Sequence, residues 1–322
     1  MPRTDEDCVL VNKATGEAIP VPAGTKYETP DDLARKKYAM EKRKEYEEAH
    51  RLANELKNKM CGEFFWSLYD VGAPYHPEMS DGMLVKVIYL LTFLDYKRNI
   101  LVARQSASDT YRPMTKDDVR NVIRLHRCKF PKFWDDLMST GIIYENELGE
   151  LVVDESFRRG HIDKKELKDV ARIKLFTHAI RYMYENTDVR THRYLAYLYR
   201  LIPYINLKYN VLCLNPLEVD KHRIKLLTAR ELCELVGVEG RKDNEDRLIN
   251  TLFKLMFISK DKRKLSVITL IKRYEDDVMC QYITINPQFY SGYISTEDMA
   301  DIFDEFVIEK KEGFDGVARL SV

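Results

Sequence analysis

The side chains of this 322-residue chain best suited to do chemistry are Arg247, Asn250 and Lys254. Leu248, Leu252 and Leu255 recur at helical spacing and mark a buried stripe, which leaves Arg247, Asn250 and Lys254 on another face. Arg and Asn are the residue types that make paired hydrogen bonds to guanine and adenine edges. Arg241 and Lys242 precede this segment, and Lys260, Lys262, Arg263 and Lys264 follow it, four cations in five residues. Such a run suits phosphate oxygens, which supply affinity and register without reading sequence. The chemistry expected is recognition of double-stranded DNA, with bases met by the helix and the backbone by the flanking cations. A weaker set comprises Lys129, Lys132, Arg158 and Arg159. Asp135, Asp136, Glu145, Glu147 and Glu150 lie close to it in sequence and would repel phosphate.

Catalysis has no comparable support. The chain contains no G-x-x-x-x-G-K-[ST] loop to cradle a nucleotide. Its seven His are scattered, without H-x-H or H-E-x-x-H, and its six Cys form no C-x-x-C. The acid pairs Asp31–Asp32, Asp117–Asp118, Asp135–Asp136 and Asp276–Asp277 read as helix starts and turns. A tyrosine nucleophile would need a metal-binding histidine pair beside it. No catalytic residue, metal or cofactor is therefore expected, and the chain is read as a binding protein, not an enzyme.

The segments that must position these residues occur twice. Leu91–Val102 (LTFLDYKRNILV) returns as Ile202–Cys213 (IPYINLKYNVLC). After each copy comes a Thr with an acid three positions on, Thr115–Asp118 and Thr228–Glu231, which is the signature of a capped helix start. Each unit closes on a Phe three residues before a Gly, at Phe157–Gly160 and Phe289–Gly292. The order is kept and only the last spacer grows, as expected of an internal repeat. Within each copy the pattern is helix, helix, turn, helix, hairpin. In the first copy this covers an apolar helix at Met83–Asp95, a polar loop over 103–113, helices at Thr115–Leu125 and Pro131–Ser139, and a hairpin over 142–153. In the second copy the helices fall at Thr191–Tyr204, Thr228–Gly237 and Asn244–Met256, followed by one longer hairpin from Phe257 to Ile285. A basic amphipathic helix, Lys164–Tyr184, is expected to join them.

The layout predicts a mostly α chain of the α+β kind, with two tandem winged helix-turn-helix domains, an N-terminal arm and a long helix. Residues 1–62 form the arm and a charged helix from about Pro30 to Met60. Residues 63–162 form the first winged-helix domain. Residues 163–293 form the linker helix and second domain, and 294–322 an acidic tail with a short helix at Thr296–Phe306. The 52 Lys+Arg balance the 52 Asp+Glu, but unevenly: Asp154–Arg230 holds 16 basic and 9 acidic residues, whereas Tyr293–Val322 holds 3 and 8. A basic middle can bind phosphates while the molecule stays neutral overall. No apolar run approaches the ~18 residues of a membrane span, so a cytoplasmic protein without membrane contact is expected.

With these repeats placed, the chain resembles the tandem winged-helix replication initiators of plasmids and phages over roughly residues 64–293. The endings Phe157-Arg-Arg-Gly160 and Asn286-Pro-Gln-Phe289-Tyr-Ser-Gly292 are also similar to the N-P-x-(Y/F)-x-x-G close of replication-maintenance proteins of Gram-positive plasmids and phages. The resemblance implies two units joined by a long helix and bound to repeated sequences at an origin. The partners it implies are double-stranded DNA, a second copy in a homodimer, and replication machinery. A transcriptional regulator of a mobile element, or a protein-interaction module, would use the same surfaces. The acidic first hairpin and the zero net charge depart from the pattern.

Overall fold

The computed structural model describes residues 9–12, 14–20, 31–44, 62–71, 73–105, 110–160, 171–275 and 278–292. Two compact units divide the chain, residues 1–56 and 57–322. In the first, strands β1 (Val9–Val11) and β2 (Ala18–Pro20) pair antiparallel about a turn that Gly16 closes at φ +71°, with its N–H 2.7 Å from Asn12 O. Residues 31–44 form helix α1, every side chain of which is exposed.

The second unit is organised on a four-stranded antiparallel sheet of order β14-β9-β3-β8. Its central pair is β3 (Phe64–Tyr69) and β9 (Ala171–Phe176), in register Phe64↔Phe176 through Tyr69↔Ala171. Both alternate: Phe65, Ser67 and Tyr69 are buried on β3 and Ile173 and Leu175 on β9, with the residues between them half-buried. The short strands β8 (Phe157–Arg158) and β14 (Tyr290–Ser291) close the two edges. Each half of the chain thus pairs its own first and last strands, and the halves meet at β3–β9. Helix α2 (Asp81–Leu91), capped by the Ser80 hydroxyl, packs on α6 (His192–Arg200).

The two halves repeat one another in a series of matched contacts. After α2 and after α6 a side-chain oxygen collects two backbone N–H groups: Asp95 Oδ2 from Lys97 and Arg98, and Asn206 Oδ1 from Lys208 and Tyr209, all at 3.0 Å. Each turn ends on a left-handed asparagine, Asn99 at φ +53° and Asn210 at φ +57°, a conformation Asn tolerates better than most residues. Their amides donate to the end of the matching hairpin, Asn99 Nδ2 to Val153 O and Asn210 Nδ2 to Ile285 O, each at 2.7 Å. Thr115 with Asp118 and Thr228 with Glu231 form complete capping boxes, opening α3 (Lys116–Val122) and α7 (Ala229–Leu235). Phe157 and Phe289 are both fully buried. The terminal glycines sit against the asparagine turns: a Cβ on Gly160 would lie 3.0 Å from Tyr96 O, and one on Gly292 would lie 2.5 Å from Leu207 O. That close approach of backbone to backbone is why both copies end in glycine.

Two tandem winged-helix domains in a mostly α chain are not what these elements build. Among the described residues of the second unit there are five small antiparallel sheets, so the architecture is α+β. One hydrophobic core runs without a break from Phe65 to Tyr290. Its largest sheet takes two strands from each half, so neither half encloses a core of its own. The connecting helix expected at Lys164–Tyr184 is also replaced. Residues 161–170 lie outside the described residues, Ala171–Phe176 is strand β9, and helix α5 covers only Thr177–Asn186. The sequence ARIKLF alternates with period two, and pairing with β3 satisfies its backbone better than a helical turn would. Two smaller readings change. The polar loop at 103–113 includes a hairpin of β4 (Val102–Arg104) and β5 (Tyr111–Pro113). The single long hairpin of the second half is two hairpins, β10 (Met256–Ile258) with β11 (Lys264–Ser266), then β12 (Ile268–Glu275) with β13 (Val278–Ile285). The expected helix from Pro30 to Met60 is described only at 31–44, and the acidic tail with its helix lies outside the described residues.

Candidate nucleic-acid interface

Helix α7 leads through a turn, with Gly237 at φ +72°, into α8 (Lys242–Phe253). Leu248, Ile249 and Leu252 of α8 are buried, and Leu255 continues the stripe. Arg247 and Asn250 are exposed on the opposite side, beside Thr251, whose hydroxyl donates to Arg247 O at 2.7 Å. Lys242 is the first residue of α8 and exposed, whereas Arg241 before it pairs with Glu239 at 2.8 Å. Lys254 is the C-terminal cap and exposed, one step beyond the helix that was expected to carry it.

The cationic run forms the tip of β10–β11. The buried Ser259 hydroxyl accepts from Arg263 N at 3.1 Å and bonds Asp261, and Lys262 takes the left-handed turn position at φ +67°. Arg263 Nε donates to Asp261 Oδ2 at 2.6 Å. Burial would raise the Asp261 carboxyl, but the hydrogen bonds from Ser259 and Arg263 outweigh it and hold the group below its ordinary value. Arg263 is therefore neutralised within the hairpin, and the charge it offers outward is that of Lys260, Lys262 and Lys264, none of which is in an ion pair among the described residues. The hairpin is anchored from behind by His178 of α5, whose Nε2 lies 2.8 Å from Ile258 O. Lys254 and Lys264 line one cleft of about 610 Å³ together with Tyr182, Asn186, Asp188 and Met256. The end of α8 and the start of β11 thus present their cations on one side.

The first half carries a different surface, and its hairpin is the equivalent of β12–β13: Val153 N bonds Asn99 O and Asp154 N bonds Ile142 O, as Ile285 N bonds Asn210 O and Asn286 N bonds Val267 O. In α4 (Phe130–Ser139), Lys132 is exposed, as is the capping residue Lys129, but Asp135 and Asp136 stand exposed beside them. Its hairpin, β6 (Ile143–Glu145) with β7 (Leu151–Val153), exposes Glu145, Glu147 and, at 82%, Leu148. Arg158 pairs with Glu155 and Arg159 with Glu63, both at 2.7 Å, and Arg159 also donates to Leu94 O at 2.9 Å. These two arginines stitch the sheet to its surroundings and are not gathered with the α8 set. Sequence reasoning missed Tyr182, Asn186, Asp188 and Thr251, because nothing in residues 182–191 announces that they face 251–264.

Among the described residues no group of three His, Cys, Asp or Glu could hold a metal ion. Burial pushes the Cys213 thiol up to about 11 and the Tyr184 hydroxyl up to about 12, so both stay protonated at neutral pH. No helix among the described residues is long and apolar enough to cross a membrane. Compared with known proteins, the chain matches no family model, no curated protein and no solved structure.

Proposed function

We propose that the chain is a non-catalytic, sequence-specific double-stranded DNA-binding protein that reads bases with α8 and holds phosphates with the β10–β11 hairpin. The observation that carries this is the placement of Lys254 and Lys264 at one cleft, which joins the exposed edge of α8 to the hairpin cations. Arg247 and Asn250 then serve as base contacts, and Lys260, Lys262 and Lys264 as backbone contacts. The second-half surface is the better of the two. The first half exposes acids on its hairpin and, among the described residues, has no counterpart of the basic β10–β11 hairpin, which favours a protein-facing role for its own.

The test is the salt dependence of binding to random duplex, wild type against a Lys260→Gln/Lys262→Gln/Lys264→Gln variant. Each phosphate contact contributes about 0.9 to the log–log slope, so the triple variant should lose between about 2 and 3 units. An unchanged slope, or no wild-type binding at roughly micromolar protein and low salt, would overturn the reading. Selection of a preferred sequence distinguishes the roles. Repeated sites beside an origin mark a replication initiator of a plasmid or phage, the role proposed here, and a single operator-like site marks a regulator of transcription.

A further inference from the structure

The connection from the Asn210 turn to α7 is tightly bonded and yet apolar on its outside. Asn215 fastens it to the return strand, its Nδ2 donating to Arg223 O at 2.9 Å and its Oδ1 accepting from Lys225 N at 2.8 Å. Asn206 Nδ2 donates to Glu218 O at 2.8 Å, Leu207 N to Pro216 O at 3.1 Å, and the Tyr209 hydroxyl to Val219 O at 3.1 Å. Held in this way, residues 214–219 still expose three large aliphatic side chains, Leu214 at 46%, Leu217 at 60% and Val219 at 66%. Alongside, Tyr209, Ile224 and Leu226 pack half-buried on Val211 in a small cluster separate from the main core. A loop fixed by its own hydrogen bonds loses little entropy on binding, so apolar surface displayed on it suits docking. The charge beside it is basic: Lys208, Lys221, Arg223 and Lys225 outnumber Glu218 and Asp220. The corresponding stretch of the first half, 103–114, exposes one large apolar side chain among its described residues, that of Tyr111.

The chain itself carries a segment of complementary chemistry, and it starts at the foot of this loop. Gly292, the last described residue, approaches the backbone of Leu207, the residue whose N–H holds Pro216 O. Leu207 alone therefore separates Gly292 from the loop. Beyond Gly292, Met299, Ile302, Phe303 and Phe306 fall at i, i+3, i+4 and i+7, the spacing of one helical face. Glu297, Asp298, Asp301, Asp304 and Glu305 lie between them. Residues 293–295 can span up to about 10 Å, and a helix over Thr296–Phe306 would be about 16 Å long. We propose that the loop Leu214–Val219 is the docking site of the chain's own acidic C-terminal segment, with Met299, Ile302, Phe303 and Phe306 laid on Leu214, Leu217 and Val219. The acids between them answer the basic side chains at 208–225. An amphipathic helix laying its apolar face on an apolar surface is a recurrent mode of recognition.

The test uses the purified full-length chain with photoreactive benzoylphenylalanine substituted at Leu217. Irradiation should join position 217 to a peptide within 296–308, identified by mass spectrometry, in a product of monomer mass. Phe303→Ser/Phe306→Ser should remove most of that product. Amide hydrogen exchange needs no label. In the wild type the amides of 296–306 should exchange at least about tenfold more slowly than an unstructured chain, and in Leu217→Ser/Val219→Ser that protection should disappear. Both loop positions are exposed, so the variants keep the fold, which a thermal melt checks. Crosslinks that miss 296–308, or wild-type tail amides that exchange at the unstructured rate, would overturn the proposal. So would tail protection indifferent to the loop variants. A product of twice the monomer mass would overturn it too, by giving the loop to the tail of a second copy. The experiment contains no DNA, so its outcome and that of the duplex reading are independent.

Discussion

Replacing Asn210 by Ala tests the repeated asparagine turn, and its cost can be worked from the contacts. Asn210 is fully buried, and its Nδ2 donates to Ile285 O at 2.7 Å and Tyr290 O at 3.1 Å, tying the end of β13 and the start of β14 to the turn. Leaving these carbonyls under-satisfied costs ~1–3 kcal/mol in each buried case, the lower end applying where a second partner remains. The left-handed backbone at φ +57° adds ~1 kcal/mol for Ala relative to Asn. One contribution runs the other way. Asn210 Oδ1 is buried without a partner among the described residues, and removing it returns ~1 kcal/mol. The balance is about 3 kcal/mol, a fall in Tm of roughly 6–12 °C for a unit of this size. Asn210→Gly keeps the left-handed conformation and should cost ~1 kcal/mol less than Asn210→Ala. Asn99→Ala is the internal control. Asn99 is half-buried, and its second bond, to Asp154 O, is 3.4 Å long. It should cost about half as much. Thermal and urea melts of the full-length variants measure all three. If Asn99→Ala proves the more damaging, or Gly at position 210 is worse than Ala, the reasoning from burial and backbone fails.

Gly292→Ala should destabilise by about 2 kcal/mol or more, since its Cβ meets Leu207 O and Cα at 2.5 and 2.7 Å, while Gly237→Ala, with no atom within 4 Å, pays only the backbone strain of ~1 kcal/mol; paired melts read the difference. Arg200 Nη1 donates to Tyr75 O at 2.7 Å and His76 O at 2.6 Å, so Arg200→Lys, which keeps the charge but not the fork, should lose about 2–3 kcal/mol in the same assay. The hydrogen bond from Arg112, ahead of those from Thr115, holds the Asp118 carboxyl well below the usual carboxylate range. A depressed folded-state value means the contribution is present above the unfolded value, ~3.9, and is lost as pH falls through the folded one. Asp118→Asn should therefore melt below wild type at pH 7, and the gap should narrow as pH is lowered beneath about 4; a gap independent of pH would refute the assignment.

What was legible in the sequence was local. The capping boxes at Thr115 and Thr228 depend on residues three apart, and the buried stripe of α8 depends on a period the sequence displays. The repeat was readable because its left-handed asparagines and crowded glycines admit few other residue types. The failures were non-local. Strands β8 and β14 are two residues long and exist only because β3 and β9 offer them edges, so no pattern marks them. Over Ala171–Phe176 the expected helix lost to a pairing with β3, distant along the chain, that propensity does not see. Arg159 looked like a free cation because its partner Glu63 is far away along the chain. Arg158 and Arg263 are the instructive exceptions. Their partners Glu155 and Asp261 are three and two residues away, and both neutralisations could have been read from the sequence alone.

The interleaved sheet lets the two halves differ where two identical chains could not. A protein that assembles from two identical chains across a twofold axis must present the same hairpin on both sides, and any change to one is a change to both. Here the equivalent of that axis passes between β3 and β9 within a single chain, so the two hairpins are free to diverge. They have done so in length, with three residues in each strand of β6–β7 and eight in each strand of β12–β13, and the basic β10–β11 hairpin stands ahead of the second alone, while the asparagine turns, capping boxes and closing glycines beneath them stayed alike. A single chain thereby carries a near-symmetric scaffold with two distinct hands.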